Sequence, residues 1–389
     1  MVIPRTGQAN VATSGEPKPA LRFDHHTGHG PFHFILVPGL VPDGPETFLR
    51  QIATLRSFGS LSTATYPYDH FDVEGVMAAL REQILARQRT GQRPVLIGVS
   101  VGGGLCIELL RRARDADESL PLSAVVLISP LSCIDDLAPL LARLVGGIIS
   151  EADRGEAGNP GAALERGRTL FRTLASRSVA PGPQIGGWRA LLALLTPQGI
   201  ANLHERRIRD RIDRTLAAIP ALGAIERVTS LRSLQGIGQG PSARTPLTQA
   251  PTLLLWGSKE RHTLTMDGPG TSILCRPDLA SRVFPACEVH WLYGADGEEV
   301  PHASLLKHAA AFNRHLRTFM QRHSNARKYM DRAVFLHIAA VFYHYPAPVA
   351  AYRRARPYIY ILAYDYITCY RGQWMHKCRR MHHRDKTFE

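Results

Sequence analysis

Short, continuously apolar runs alternate with amphipathic stretches through the first third of the chain. The run 33–37 (His33-Phe34-Ile35-Leu36-Val37) ends in Pro38-Gly39 and reads as a buried strand. Residues 46–58 place Phe48, Leu49, Ile52 and Leu55 at helical spacing. Residues 61–66 are rich in Thr and Tyr and suit a second strand. An amphipathic helix is predicted over 73–89, with Val76, Leu80, Ile84 and Leu85 on one side. A third apolar run, 94–98, precedes a helix over 103–112, and a fourth strand, 124–128, closes at Ser129-Pro130.

Strands separated by helices imply crossover connections and a mainly parallel sheet. Such a sheet is covered on both faces, so its strands are apolar throughout and do not alternate. The alternation stops over 131–244, where no strand is expected. Helical stretches are predicted there at 137–149, 162–175, 188–195 and 207–219, several separated by Gly and Pro. A segment this long is not a bare loop in a compact protein, and it reads as a helical lid. The sheet pattern resumes at 251–257 and again at 287–293. A helix over 303–321 then carries Leu305, Leu306, Ala309, Phe312 and Leu316 on one face.

Four segments follow: a polar lead-in (1–30), an α/β core (31–130 and 246–325), a helical lid (131–245) and a C-terminal extension (326–389). The extension differs in composition. From 327 to 389 it holds 12 Lys/Arg against 4 Asp/Glu, and nine of the 12 tyrosines, in a chain whose formal charge is +14. Tyr358, Tyr360, Tyr364, Tyr366 and Tyr370 lie among Arg353, Arg354, Arg356 and Arg371. That mixture suits weak contact with nucleic acid or an anionic membrane surface. The expectation weighed above it is an extension that packs its aromatics and shows its arginines to water.

Composition narrows the class. With 44% hydrophobic residues over 389 positions the chain is expected to be globular. Residues 1–5 lack the apolar core of a leader, and no uncharged apolar run reaches membrane-span length. Six scattered cysteines then predict reduced thiols in the cytoplasm. His376, Cys378, His382 and His383, and the group His25, His26, His29, lack paired zinc-ligand spacing, so no metal is expected.

The chemistry is carried by Gly98-Val99-Ser100-Val101-Gly102, which fits G-x-S-x-G between an apolar strand and an apolar helix. At such a turn the serine is strained and its hydroxyl projects. The flanking glycines Gly98 and Gly102 let strand and helix approach. A packing turn with an idle serine is the bland alternative.

On these residues the chain resembles the α/β-hydrolase superfamily over about 32–321. The other markers are the Pro38-Gly39-Leu40 loop, the strand ending Leu254-Leu255-Trp256-Gly257, and a late histidine. The resemblance implies a nucleophile, acid, histidine order along the chain. His302 is the implied base and Glu260 the implied acid, where most relatives carry Asp. Asp135 or Asp136, after the preceding core strand, is the alternative acid. The implied oxyanion donors are the backbone N–H groups of Val101 and Leu40, with Val41 the alternative to Leu40. His290 and His308 are expected to be structural.

The implied activity is hydrolysis of a carboxylic ester or thioester through an acyl-enzyme on Ser100, acting on a small-molecule, partly apolar acyl substrate without a cofactor. Acyl transfer on the same residues, and a catalytically inactive binding protein on the same fold, are the alternatives. Leu140, Leu141, Leu144, Val145, Leu191, Leu192, Leu194 and Leu195 are candidates to line the acyl site, or to form the lid's own core.

Overall fold

The computed structural model describes residues 21–153, 165–166, 169, 172, 197–238 and 245–324. The extension, the 162–175 and 188–195 helices, Leu191, Leu192, Leu194, Leu195 and the His376–His383 group lie wholly or mainly outside them. The chain divides into two units, Met1–Phe319 and Met320–Glu389.

Seven strands form one sheet: β1 (Arg22–His26), β2 (Phe32–Val37), β3 (Gly59–Thr65), β4 (Arg93–Val99), β5 (Ala124–Ile128), β6 (Thr252–Gly257) and β7 (Cys287–Leu292). Their order is β1-β3-β2-β4-β5-β6-β7. All neighbours are parallel except β1, which is antiparallel to β3. The central strands β2, β5 and β6 are buried at every position, because helices cover both faces of the sheet.

The helices are α1 (Gly44–Thr47), α2 (Ile52–Arg56), α3 (Val73–Arg89), α4 (Val101–Asp115), α5 (Pro139–Asp153), α6 (Pro197–Ala218), α7 (Ala221–Thr229), α8 (Thr271–Leu274) and α9 (Pro277–Val283). A further helix, α10, runs over 309–324. α3 is capped by Asp72, whose carboxylate accepts from the N–H groups of Glu74 and Gly75. No helix among the described residues is long and apolar enough to cross a membrane.

Four expectations are corrected. The polar lead-in contains β1, an edge strand whose mixed polar sequence and partial exposure gave no apolar run to detect. The helix over 46–58 is two short ones, because the backbone leaves the helical range at Phe48 (φ −100°, ψ 8°). α7, within 131–245, is an additional helix. The helix placed at 303–321 starts at 309: Ala303 has φ 49°, which a right-handed helix cannot hold. Leu305 and Leu306 are therefore buried from turns. His308 also precedes the helix, with its Nδ1 3.0 Å from Ser304 Oγ.

Candidate active site

β4 runs straight into α4, and Ser100 is the single residue between them. Its backbone is strained (φ 52°, ψ −118°), a conformation that L-residues rarely adopt. Three backbone hydrogen bonds hold it there. The Ser100 N–H donates to Ile128 O (2.9 Å), and Ser100 O accepts from Gly104 N (3.1 Å) and Leu131 N (3.0 Å). The flanking glycines are required by contact. A Cβ on Gly102 would lie 2.1 Å from Pro38 O, and one on Gly98 would lie 2.6 Å from Gly102 O.

Two distant segments converge on the serine hydroxyl. His302 Nε2 is 2.8 Å from Ser100 Oγ, and His302 Nδ1 is 2.5 Å from Glu260 Oε2. A carboxylate oxygen accepts, so Nδ1 carries the proton and Nε2 is left to accept from the hydroxyl. Glu260 is fully buried. Its other oxygen accepts from the Ser129 hydroxyl and from Gly257 N–H (2.8 Å).

The turn that carries His302 is fastened on both sides. Lys259 N–H donates to Val300 O (2.9 Å), Val300 N–H to Ser258 Oγ (2.9 Å), and Ala303 N–H to Ser129 Oγ (3.3 Å). Gly257 is needed here as well, because a Cβ on it would meet Val300 O at 2.5 Å.

The alternative acids lie elsewhere. Asp136 is buried and occupied as a structural acceptor, taking Ser132 Oγ–H (2.6 Å) and the N–H groups of Gly270 and Thr271 (both 2.9 Å). Asp135 is exposed. His290 sits in the edge strand β7, 3.3 Å from Glu288. His25 in β1 bonds Ser62 Oγ (2.8 Å). Among the described residues no group of three or more His, Cys, Asp or Glu is arranged to hold a metal ion.

The candidate oxyanion donors flank the serine. Val101 opens α4, so its N–H lies in the first turn without a partner inside the helix. The loop after β2 lies against Ser100: a Cβ on Gly39 would be 3.4 Å from Ser100 Cβ. Leu40 and Val41 line the same cavity as Ser100 and His302. That cavity, of about 500 Å³, is walled on one side by Leu140, Leu141 and Val145 of α5. Leu144 is not in its lining and is 42% exposed.

Sequence reasoning missed three features of the site: Ser129 beside Glu260, Tyr66 on the Pro38 carbonyl, and the buried pair Asp43–Arg227 next to the 38–41 loop. Burial raises the Asp43 carboxyl to about 6 and pushes the Cys106 thiol, beneath the serine turn, well up. The Ser-Pro at 129–130 was legible only as the end of a strand, and the Asp43–Arg227 pairing has no local signal.

No protein-family model and no curated protein sequence matches the chain. Solved structures are similar at low identity. A thermophilic esterase from Thermogutta terrifontis is 15% identical, with a TM-score of 0.48 over 78% of this chain and 94% of that one. An esterase from Exiguobacterium antarcticum is 13% identical (TM-score 0.48, 77% and 95%). An esterase from Rhodococcus sp. ECU1013 is 15% identical (TM-score 0.48, 77% and 94%). The fold rests on this chain's own topology. A mainly parallel sheet that turns through a strained serine from β4 into α4, with a buried carboxylate and then a histidine supplied after later strands, is the α/β-hydrolase arrangement, and this chain has the α/β-hydrolase fold.

Proposed function

We propose that the chain is a serine hydrolase that cleaves a carboxylic ester or thioester through an acyl-enzyme on Ser100. The observation that carries this reading is the unbroken chain of contacts from the Ser100 hydroxyl to His302 to the buried Glu260. A serine hydroxyl is a weak nucleophile, and it needs a base in hydrogen-bond reach that is itself oriented by a third group.

In this reading His302 Nε2 takes the hydroxyl proton as Ser100 Oγ bonds the carbonyl carbon. Glu260 keeps the proton on Nδ1 and stabilises the imidazolium that forms. The negative charge on the former carbonyl oxygen is met by the N–H groups of Val101 and Leu40. The imidazolium then protonates the leaving oxygen or sulfur, which departs as the alcohol or thiol as the tetrahedral carbon collapses to the acyl-enzyme. Water, deprotonated by His302, attacks next and releases the acid and free Ser100. The apolar wall of α5 suits a partly apolar acyl group.

Steady-state hydrolysis of aryl esters of increasing chain length, with and without an added acceptor alcohol, tests the reading. Turnover to free acid is expected. Product that accumulates only as the new ester would instead assign acyl transfer. No turnover in either arm would reject both.

A further inference from the structure

We propose that Arg227, acting with Tyr66, is a positioning residue for the oxyanion site: it reaches from helix α7 into the core, and the two side chains hold the peptides on either side of the one that carries the Leu40 N–H. The inference rests on the oxyanion role given to Leu40 above.

Arg227 is fully buried. A buried guanidinium is costly unless its donors are met. Most of its donors go to backbone carbonyls of two separate loops. Nη1 donates to Leu40 O (3.2 Å); Nη2 donates to Pro67 O (3.1 Å) and Tyr66 O (3.3 Å). Its counter-charge, Asp43, is 3.5 Å away and also buried. The guanidinium lies 5.5 Å from the Tyr66 ring centroid, and the Tyr66 hydroxyl donates to Pro38 O at 3.0 Å.

These contacts bracket one peptide. Because a peptide unit is planar, the Pro38 carbonyl shares its plane with the Gly39 N–H, and the Leu40 carbonyl shares its plane with the Val41 N–H. The Pro38 and Leu40 carbonyls are both held, one on each side of the Gly39–Leu40 unit. Gly39 would otherwise leave that unit free to swing, since glycine has the widest backbone freedom. An oxyanion donor acts only if it is aimed before charge develops.

α7 is itself locked onto the core. A Cβ on Gly223 would lie 1.8 Å from Tyr68 O, and Glu226 Oε2 accepts from Phe71 N–H at 2.8 Å. A shift of α7 would draw the guanidinium off the Leu40 carbonyl, so the seating of α7 and the placement of the oxyanion loop are coupled.

The test compares full-length wild type with Arg227→Lys and Tyr66→Phe. Three quantities are read: kcat and KM for p-nitrophenyl butyrate, inhibition by an alkyl boronic acid that forms a tetrahedral adduct on serine, and the thermal midpoint. A misaimed donor is expected to lower kcat and boronate affinity together by about 10- to 100-fold in Arg227→Lys while KM stays within about threefold. Tyr66→Phe removes one hydroxyl and keeps the ring, so it shifts the same two quantities by several-fold even if the arginine variant fails to fold. Tyr66→Phe at wild-type kcat and boronate affinity, with only the midpoint lowered, overturns the proposal. Wild type that neither turns over nor binds boronate overturns the hydrolase reading itself, which is a separate result.

Discussion

The hydroxyl of Ser129, at the end of β5, donates to the carboxylate of Glu260, 131 positions later in the chain. Ser129 thereby joins Glu260 to the His302 turn, since its oxygen also accepts from Ala303 N–H. One oxygen of the carboxylate is thus fixed by the core, and the other is left to face the imidazole.

Glu260→Gln is accordingly expected to lower kcat by about 10³- to 10⁴-fold, because an amide can present its NH₂ to Nδ1 and hold the wrong tautomer. Ser129→Ala is expected to lower kcat by roughly tenfold, since the histidine partner remains and only its anchor is lost. Steady-state kinetics on one aryl ester read both. A loss under tenfold in Glu260→Gln would show that the carboxylate does not orient the base.

Two glycine substitutions are expected to act in opposite directions. Gly102→Ala forces a Cβ to within 2.1 Å of Pro38 O and 2.4 Å of Val37 O, both backbone atoms with little room to yield. It is expected to cost about 2–3 kcal/mol, or to prevent folding. Gly146 lies inside α5 with nothing within 4 Å of an added Cβ. Gly146→Ala is expected to stabilise by about 0.5–1 kcal/mol. Urea midpoints measure both, and equal effects would contradict the packing at the serine turn.

Acid sensitivity has a named source in His33. It is buried between Ser60 Oγ and Ser62 Oγ, each 2.7 Å from a ring nitrogen. Burial, with Arg87 and His25 adding to it, lowers its pKa to about 3. Between about pH 6.5 and 3 the unfolded chain binds a proton here that the folded chain refuses, so stability falls as pH falls. His33→Gln lacks that linkage. Wild type is expected to lose stability relative to His33→Gln by a few kcal/mol as pH drops from 6.5 to 3.5. A pH-independent difference between the two would contradict it.

Leu140 lines the cavity while remaining 62% exposed, so it can be truncated with little effect on folding. Leu140→Ala is expected to lower kcat/KM for a hexanoyl ester about two- to fivefold relative to an acetyl ester, the loss of a few apolar contacts. Equal effects on both esters would place the acyl chain elsewhere.

The legible parts of the molecule were those with local causes. β2, β5 and β6 are apolar throughout because they are covered on both faces, and Ser100 stands out because Gly98 and Gly102 must admit a helix against a strand. Glu260 and His302 were reachable through their order after the serine, which a shared fold imposes. Other features had no local cause. β1 is an edge strand of mixed polarity, and the left-handed Ala303 delays α10 by several residues. Arg227 meets Leu40 across 187 positions, and a helical arginine looks the same whether it faces water or a buried carbonyl.

The most direct measurement is intact-mass and peptide-mapped labelling by a fluorophosphonate. One adduct per chain is expected on the peptide containing Ser100, absent from Ser100→Ala and slowed at least about 100-fold in His302→Ala. A wild-type chain that takes no label, or a Ser100→Ala chain that takes as much, would contradict the assignment of Ser100 as nucleophile.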